Sequence, residues 1–511
     1  MRRIGWSDLK NLGTLPERGR TDAAYPAVPC IKNETGCRQN HIVNQVSGIM
    51  RFSSRNKLRL LGLLSAFVYG VNFRLGEVLV QFGILTVPPQ SIVSYLIQLF
   101  PLTVFYLLAL GLAARAKRED GKTLVPEILL FALLFRLFLV PIETSLSSDI
   151  YRYIWDGRVQ VAGKINPYLY PPVDKHLAPL RDQEIYPYIN RKEAPTVYPA
   201  GAQILFRTLY QAGLNSPAAL KAAALGAEAL TFLLLFLILK ERGLPQNWIV
   251  IYAWNPLIIY ELFYSGHLES FMLPPLMGFV YLFLRGRLRT GGALLGLAAS
   301  IKLLPALLLV VVPPGKRLKI VFPFLVVFAS TYIPYIEAGK KVLGFLPSYF
   351  SDPYEIFNPG LLQIVLLRVA EFFSLPSSSI RFVLFFSFLA FLILFIRRTE
   401  ERTDDLVRKC YIVMSGYILL IYPALHPWYV SVLIPFLCVI PSWAWLYLSL
   451  VLPLSYLKYL TPDGAMPAWV TLAQFIPLYV LLALEYARTQ PLNERRSQWY
   501  LGTQTPSSTT L

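Results

Sequence analysis

Stretches of roughly 20 mostly apolar residues recur along the chain, and charged residues are sparse within them. A helix of that length crosses the hydrocarbon core of a bilayer. Only 15% of the 511 residues are charged, whereas a soluble chain usually carries about 25%. The sequence therefore predicts an all-α polytopic membrane protein with a bundle of about 12–13 transmembrane helices. The predicted spans are 58–80, 91–114, 123–142, 217–240, 247–265, 270–285, 320–336, 379–397, 408–425, 427–441, 443–458 and 468–487.

Two further apolar stretches, 291–312 and 359–374, do not fit a simple span. Prolines interrupt or end the first, and the second is short and follows an Asn-Pro-Gly sequence. Either could cross the bilayer or re-enter it as a broken helix that lines a cavity, where irregular backbone is tolerated. Gly292 and Gly296 form a GxxxG spacing, which predicts close packing of one helix on another.

The formal net charge of +18 would suggest nucleic acid as a partner in a soluble protein. Here the basic residues lie at the ends of apolar spans, which favours the lipid bilayer and its anionic headgroups as the partner, and no nucleic acid. Basic clusters mark the predicted cytoplasmic side: ARAKRED (114–120), LKERG (239–243), RGRLR (285–289), GKRLK (315–319) and IRRTEER (396–402). Alternation of the spans then places residues 143–199, 265–269, 337–358, 426–427 and 457–467 on the extracytoplasmic side.

The two ends of the chain are polar. Residues 1–57 predict a disordered cytoplasmic tail, and 488–511 a cytoplasmic C-terminal tail. Met50 begins a basic stretch that runs into the first span, so translation could start at Met1 or at Met50. No small-residue cleavage site follows the first apolar run, which predicts a retained signal anchor. The four cysteines show no spacing typical of a zinc site or a disulfide framework.

The first long loop begins with SSDIYRYIWDGRVQVAGKINPYLYPP (147–172), an unusual concentration of polar and aromatic residues for so apolar a chain. If IYRYIWDGRV is helical, then Asp149, Arg152, Tyr153 and Asp156 share one face. One interpretation is a solvent-exposed helix with an N-cap aspartate and a local Asp–Arg pair. The other is that this face forms a wall of an active site.

The continuation of the loop is rich in tyrosine and proline. It contains Asn166-Pro167-Tyr168, a Tyr-Pro-Pro, a Tyr-Pro-Tyr and finally Tyr198-Pro199. Aromatic faces with hydrogen-bonding tips suit sugar rings, but tyrosine and tryptophan also line membrane interfaces. Both interpretations remain open from composition alone.

Three other residues are candidates because of where they lie. His267 and His426 each sit at the end of a predicted span on the same side as the loop aspartates. Lys302 is an ionisable group inside an apolar run, and such residues are functional candidates by default. The alternatives are structural interface histidines and a lysine that snorkels to a headgroup.

Four segments, in this order along the chain, resemble one family. They are SSDIYRYIWDGRVQVAGKINPYLYPP (147–172), WNPLIIYELFYSGHLESF (254–271), KLLPALLLVVVPP (302–314) and YPALHPWYVSVLIPFL (422–437). The first is similar to the first large extracytoplasmic loop of GT-C glycosyltransferases, and more narrowly of the bacterial polyprenyl-phosphate-mannose-dependent α-1,6-mannopyranosyltransferases. The resemblance spans about residues 58 to 487. After Gly266-His267 the family pattern leads one to expect Asn-Asp, whereas this chain has Leu268-Glu269.

The resemblance implies an integral-membrane glycosyltransferase of the cell membrane that moves a sugar, most readily mannose, with inversion. The donor would be a polyprenyl-phosphate sugar and the acceptor a hydroxyl of an extracytoplasmic glycan or glycolipid. It implies Asp149 as the general base and a cation near the departing phosphate, for which Arg152, Arg158, Lys302 and His426 are the candidates. The full set of candidate substrate-binding residues is Asp156, Arg152, Tyr153, Arg158, Asn166, Tyr168, Tyr198, His267, Glu269, Lys302, His426 and Trp428.

No cofactor is implied, and the sequence identifies no metal site. If a divalent cation takes part, its oxygen ligands would be Asp149, Asp156 or Glu269. No Walker-type phosphate loop occurs, as expected if the donor is a lipid phosphate.

A transporter or flippase of a lipid-linked sugar is the alternative function, with Lys302 and the broken helices lining its path. A lipid-linked glycan polymerase or ligase is a weaker third. Against the transporter, the spans show no internal repeat, and the polar residues concentrate in one exterior loop.

Overall fold

The apolar stretches fold into α-helices, and the described part of the chain contains no β-strand. The structure, a computed structural model, describes residues 53–71, 92–119, 123–344, 357–375, 377–399, 406–420 and 424–502. The predicted all-α class is confirmed. The longer helices are α1 (Ser54–Val71), α2 (Ile92–Glu119), α3 (Val125–Leu139), α4 (Asp149–Val161), α5 (Ala200–Gln211), α6 (Pro217–Glu241), α7 (Glu269–Leu284), α8 (Leu288–Ile301), α9 (Arg317–Ser330), α10 (Leu361–Phe372), α11 (Ser377–Thr399), α12 (Leu406–Leu420), α13 (Trp443–Val451) and α14 (Ala468–Gly502).

Several apolar segments are broken where proline removes a backbone donor. The predicted spans 247–265, 427–441 and 443–458 are therefore not single α-helices. In the first, Asn255 leaves the helical conformation, and its side chain accepts a hydrogen bond from the Leu257 N–H at 3.0 Å. The short α-helices are Val250–Ala253, Pro256–Ile259 and Ile434–Leu437, and Tyr260–Tyr264 is π-helical. The 3₁₀ segments are Lys175–Leu180, Tyr186–Tyr188, Gln246–Ile249, Leu304–Val311, Pro314–Lys316, Ile333–Leu343, Pro427–Val432 and Leu452–Leu460.

Three helical stretches among the described residues are long and apolar enough to cross a membrane: Ile92–Ala116, Pro217–Glu241 and Ala468–Arg488. Pro314–Ser330 and Ile333–Leu343, which are bent by 88° at their junction, form a fourth if they count as one broken span. The chain is a membrane protein with this helical framework. The total of about 12–13 spans stays a prediction, because the shorter and broken helices do not meet the length criterion alone.

The two uncertain stretches and the two tails have distinct outcomes. The stretch 291–312 is divided, since α8 ends at Ile301 and a 3₁₀ segment begins at Leu304. The stretch 359–374 is the short helix α10. Most of the predicted N-terminal tail lies outside the described residues, as does the end of α1's predicted span, 72–80. The predicted C-terminal tail is helical as far as Gly502, because α14 continues beyond the apolar span.

A buried ion pair joins α3 to α6. Arg136 on α3 and Glu228 on α6 form a two-point salt bridge in which Nη2 donates to Oε1 at 2.9 Å, and both side chains are 1% exposed. Arg136 Nη1 also donates to the carbonyl oxygens of Ala132 and Ala253, each at 2.9 Å. The guanidinium therefore connects two long helices with the broken segment that precedes Asn255.

Gly292 and Gly296 lie where α8 packs on α9. A Cβ at Gly296 would lie 2.6 Å from the carbonyl oxygen of Phe324, and one at Gly292 would overlap that of Ile320. The close packing predicted from the GxxxG spacing is confirmed. Because the neighbouring atoms are backbone, they can give way only by moving the helix.

Gly292→Ala is expected to reduce the free energy of unfolding by about 1–3 kcal/mol, because the added methyl group forces α8 and α9 apart. The melting temperature of the detergent-purified protein should fall accordingly. Thermal unfolding followed by circular dichroism would measure this. Gly226→Ala on α6 is the matched control, since a Cβ there meets nothing within 4 Å. Equal melting temperatures for the two variants would contradict the tight contact.

Helix α5 anchors the end of the long loop on α8. A Cβ at Gly201, the second residue of α5, would lie 2.7 Å from Ser300 Cβ and 2.8 Å from the Ser300 carbonyl carbon. Glycine at 201 thus lets α5 approach the last turn of α8 directly. Since Lys302 follows that turn, the end of the loop and Lys302 are held together.

Candidate active site

Asp149 is the first residue of α4. Its backbone N–H donates to the Ser147 hydroxyl at 3.3 Å, while the Ser148 side chain makes no cap. Asn190, near the end of the loop, donates to Asp149 Oδ1 at 2.7 Å. The Asp149 side chain is 22% exposed. Asp149 is therefore a fixed and partly exposed carboxylate.

His267 lies between two carboxylates. Its Nδ1 is 3.6 Å from Asp149 Oδ2, and its Nε2 is 3.4 Å from Glu261 Oε2. The His267 side chain is 1% exposed and that of Glu261 is fully buried. Gly266, at φ +73°, brings this segment against α4, since a Cβ there would collide with the Ile150 side chain. The local backbone thus places the imidazole against Asp149.

A column of four stacked rings supports this imidazole. His267 stacks on Trp428 with ring centroids 4.0 Å apart, Trp428 on His426 at 4.3 Å, and His426 on Phe357 at 4.2 Å. The interplanar angles are 21°, 15° and 9°. The two histidines predicted to converge do so, with an indole between them.

Lys302 lies in the break after α8, where its backbone is extended. Its Nζ forms an ion pair with Glu269, whose side chain is 2% exposed, while that of Lys302 is 25% exposed. The same Nζ lies 4.7 Å from the centroid of the Tyr429 ring. Tyr429 in turn contacts the column, with its ring centroid 5.6 Å from those of His426 and Trp428. A partly accessible cation therefore adjoins the rings that lead to Asp149.

The charges in this cluster depend on their neighbours. Burial by itself would raise the pKa of Asp149, but His267 and Asn190 outweigh it and hold that pKa below its usual range. Burial would lower the pKa of His267, but Asp149 and Glu261 outweigh it and raise that pKa. Burial lowers the pKa of His426, which leaves this ring neutral. These shifts favour the ionised form of Asp149, the protonated form of His267 and the neutral form of His426.

Asp156 and Arg152 form a separate, buried network on α4. Arg152 Nε donates to Asp156 Oδ1 at 2.9 Å, and Gln203 of α5 donates to Asp156 Oδ2 at 2.8 Å. The Asp156 and Arg152 side chains are 2% and 5% exposed. Gln203 also donates to the Thr196 hydroxyl at 2.8 Å. The carboxylate therefore links α4 to α5 and to the end of the loop, and Asp156 pairs with Arg152, not with Arg158.

Tyr153 and Tyr198 lie between that network and Asp149. Tyr153 stacks on Phe206 with centroids 4.8 Å apart and meets Tyr198 edge-on at 5.1 Å. Burial raises the pKa of both phenols, and the Asp149 charge adds to this effect. Both tyrosines are therefore neutral hydrogen-bonding groups near the carboxylate.

The remaining candidates from the sequence do not meet at Asp149. Arg158 forms an ion pair with Asp182 and donates to the Leu180 carbonyl at 3.2 Å. Asn166 accepts a hydrogen bond from the Tyr168 backbone at 3.1 Å, and the Tyr168 hydroxyl donates to the Tyr198 carbonyl at 2.8 Å. These side chains shape the loop.

No group of three or more histidine, cysteine, aspartate or glutamate side chains is placed to hold a metal ion in the part of the chain that the structure describes. The three carboxylates named as ligands for a divalent cation have other partners. Asp156 pairs with Arg152 and Glu269 with Lys302.

Sequence reasoning missed three residues of this site and its support: Glu261, Asn190 and Gln203. Glu261 had a usable signal, because it is an ionisable residue inside the predicted span 247–265, the criterion that singled out Lys302. It also lies in a π-helical turn, a feature common at functional sites. Asn190 and Gln203 are unremarkable in sequence, and only tertiary contact reveals them.

Residues 60–314 match the family model described as the alpha-(1->6)-mannopyranosyltransferase N-terminal domain. A search of curated proteins and a search of solved structures each gave no significant match. The matched region contains Asp149, Glu261, His267 and Lys302, whereas Trp428 lies beyond it. Residues 60–314 therefore belong to the alpha-(1->6)-mannopyranosyltransferase family, and the protein is a membrane glycosyltransferase of the mannosyltransferase class.

Proposed function

We propose that the protein transfers mannose from a polyprenyl-phosphate donor to a hydroxyl of an extracytoplasmic glycan or glycolipid, with inversion at the anomeric carbon. The protein would act in the cell membrane with its site on the extracytoplasmic face. One observation carries this proposal: Asp149 is a fixed, accessible carboxylate beside a cluster that also holds the accessible cation Lys302.

Asp149 is suited to act as the general base. The acceptor hydroxyl must lose its proton as its oxygen attacks the anomeric carbon, and a positioned carboxylate can receive that proton. Asn190 occupies Oδ1 from one direction, and His267 lies beside Oδ2. Each carboxylate oxygen has further lone pairs, so an acceptor hydroxyl can bind without displacing either neighbour.

Lys302 is suited to stabilise the leaving group. When the C–O bond to the donor phosphate breaks, negative charge develops on the phosphate oxygens, and a positioned cation lowers the energy of that state. Lys302 is a partly exposed cation adjacent to the ring column on the side of Tyr429, whereas Lys458 lies at the Phe357 end, 5.5 Å from that ring centroid. Arg152 and Arg158 pair with carboxylates elsewhere on the loop. In this mechanism one base, Asp149, activates the acceptor hydroxyl, and one cation, Lys302, stabilises the phosphate that leaves.

The test is transfer of radiolabel from polyprenyl-phosphate-mannose to membrane glycolipid acceptors by detergent-purified protein. Labelled acceptor is the expected product, and analysis of its linkage gives the anomeric configuration. Comparison with polyprenyl-phosphate-glucose and polyprenyl-phosphate-arabinose identifies the donor sugar. If none of these donors labels an acceptor, the proposed reaction is wrong, and a liposome assay for movement of the labelled lipid tests a carrier instead.

Lys302→Met is expected to lower kcat by about 10²–10³-fold, because it removes the cation that meets the developing phosphate charge. Steady-state transfer kinetics would measure the loss, and Lys302→Arg should retain much of the rate. Lys192→Met is the matched control: its Nζ also lies over a tyrosine, 5.3 Å from the Tyr186 centroid, but outside the cluster. An unchanged kcat in folded Lys302→Met would exclude Lys302 from leaving-group stabilisation.

A further inference from the structure

We propose that Glu261 is a positioning residue, which holds the His267 ring so that its Nδ1 faces Asp149. The inference rests on the proposed role of Asp149 as the base. The Glu261 side chain is fully buried beside His267, which separates it from Asp149. It therefore acts through the imidazole.

The placement of the three groups favours a protonated ring. A neutral imidazole has one N–H and one lone pair, so it would present the lone pair to one of the two carboxylates. An imidazolium presents an N–H to each, at 3.6 Å to Asp149 and 3.4 Å to Glu261. Charges of alternating sign then run from Asp149 through His267 to Glu261, which offsets part of the cost of burying them.

Glu261 is itself held in place by its own partner and its backbone. The Tyr456 hydroxyl lies 3.1 and 3.2 Å from the two carboxylate oxygens and donates to them. The π-helical turn Tyr260–Tyr264 closes with a bond from the Ser265 N–H to the Tyr260 carbonyl at 2.8 Å. The His267 N–H donates to the Glu261 carbonyl at 3.2 Å. Side-chain and backbone hydrogen bonds therefore both hold Glu261 in position next to His267.

Other titratable groups around His267 do not replace Glu261. His426 is separated from His267 by the Trp428 indole and is neutral. The negative charge of Glu269 is paired with Lys302. The Tyr456 hydroxyl donates to Glu261 and places no further carboxylate beside His267. Within the described residues, Glu261 is the anion placed at Nε2.

The consequence falls on the base. With Glu261 ionised, His267 keeps its second proton, and its charge keeps Asp149 ionised and its Oδ2 oriented. With Glu261 neutralised, burial favours the uncharged ring, and Asp149 loses its cationic neighbour. Asp149 then takes up a proton at higher pH, so the fraction that can act as a base at a given pH falls.

The experiment compares Glu261→Gln with wild type in two measurements. In the transfer assay, kcat should fall by about 10–100-fold with little change in KM, the range typical of groups that orient another residue. The acid limb of the kcat profile should move to higher pH. Glu261→Asp, which keeps the charge on a shorter arm, should recover part of the rate and remains informative if Glu261→Gln does not fold.

The second measurement does not depend on activity. The chain has four histidines, so a ¹⁵N-histidine spectrum is simple, and His267→Gln identifies the His267 signals. At neutral pH the wild-type ring should show two protonated nitrogens, and Glu261→Gln should show one protonated and one bare nitrogen. If wild type transfers no mannose, the proposed function fails, and these shifts alone decide the pairing of Glu261 with His267.

Glu228→Gln is the matched control, because it also neutralises a buried carboxylate with a cationic partner, away from this cluster. It should lower stability and leave both the acid limb and the His267 shifts unchanged. The inference is overturned if Glu261→Gln behaves in the same way, with reduced stability only. Unchanged kcat and shifts in a folded Glu261→Gln protein would also overturn it.

Discussion

Asp149→Asn should reduce mannosyl transfer by about 10²–10⁴-fold, the contribution typical of a general base. The carboxamide has nearly the shape of the carboxylate, so the Asn190 contact and the start of α4 can be retained. It cannot accept the proton of the acceptor hydroxyl at any ordinary pH. The loss should therefore appear in kcat, while donor and acceptor KM change little. Radiolabel transfer with saturating polyprenyl-phosphate-mannose measures this directly.

Asp182→Asn on the same loop is the control for that substitution. Its carboxylate pairs with Arg158 and accepts backbone hydrogen bonds at 2.8 and 3.0 Å, away from the ring column. It should keep most of the activity. Size-exclusion behaviour and melting temperature verify that each variant is folded. Transfer that survives Asp149→Asn would remove Asp149 from the mechanism and turn attention to Asp156 and Glu269.

Glu228→Ala should destabilise the helical core by about 3–5 kcal/mol, the cost of leaving one partner of a buried ion pair without the other. Arg136, which is 1% exposed in the pair, would lose its carboxylate partner. Carbonyl oxygens and the faces of Phe232 and Phe263, at 5.2 and 5.0 Å, would remain near it. Neutral oxygens and ring faces offset only part of the lost carboxylate. The melting temperature in detergent and the yield of monodisperse protein should both fall.

Removing both charges tests whether the cost comes from the unpaired cation. The double variant Arg136→Met with Glu228→Leu fills a similar volume with apolar groups, and should recover much of the lost stability. If the double variant is as unstable as Glu228→Ala, the loss comes from packing and not from charge. If Glu228→Ala melts like wild type, the pair contributes little.

The sequence predicted the helical class and most helix positions well, because a long apolar run in a membrane protein indicates a helix. The conspicuous polar segment between spans also predicted helix α4, although Asp149 is its first residue and not its N-cap. The role of Asp149 in catalysis stays a prediction. The sequence could not predict the breaks near Asn255 and Pro427 in detail. The exact path after a proline depends on which neighbouring groups receive the freed backbone bonds.

The prediction that Asp149 and Asp156 lie on the same helix was correct, but it did not show which of them is accessible. Asp149 and Asp156 do lie on one helix, but Gln203 of α5 binds the second, which is buried, while the first is partly exposed. Helical periodicity predicts the direction in which a side chain points, but it does not predict which element packs against that side chain. The same limit applies to the ring column, whose members come from three separate segments, at 267, 357 and 426–428, and meet only through tertiary folding.

The contact of Gly201 with Ser300 has a consequence for how substrates enter. A loop whose end rests directly on the backbone of a neighbouring helix cannot swing away as a lid without moving that helix. Acceptor and donor would then bind to a loop that is already ordered. The entropic cost of ordering that loop arises during folding and not on binding. The long loop of this enzyme is better described as a rigid rim than as a gate.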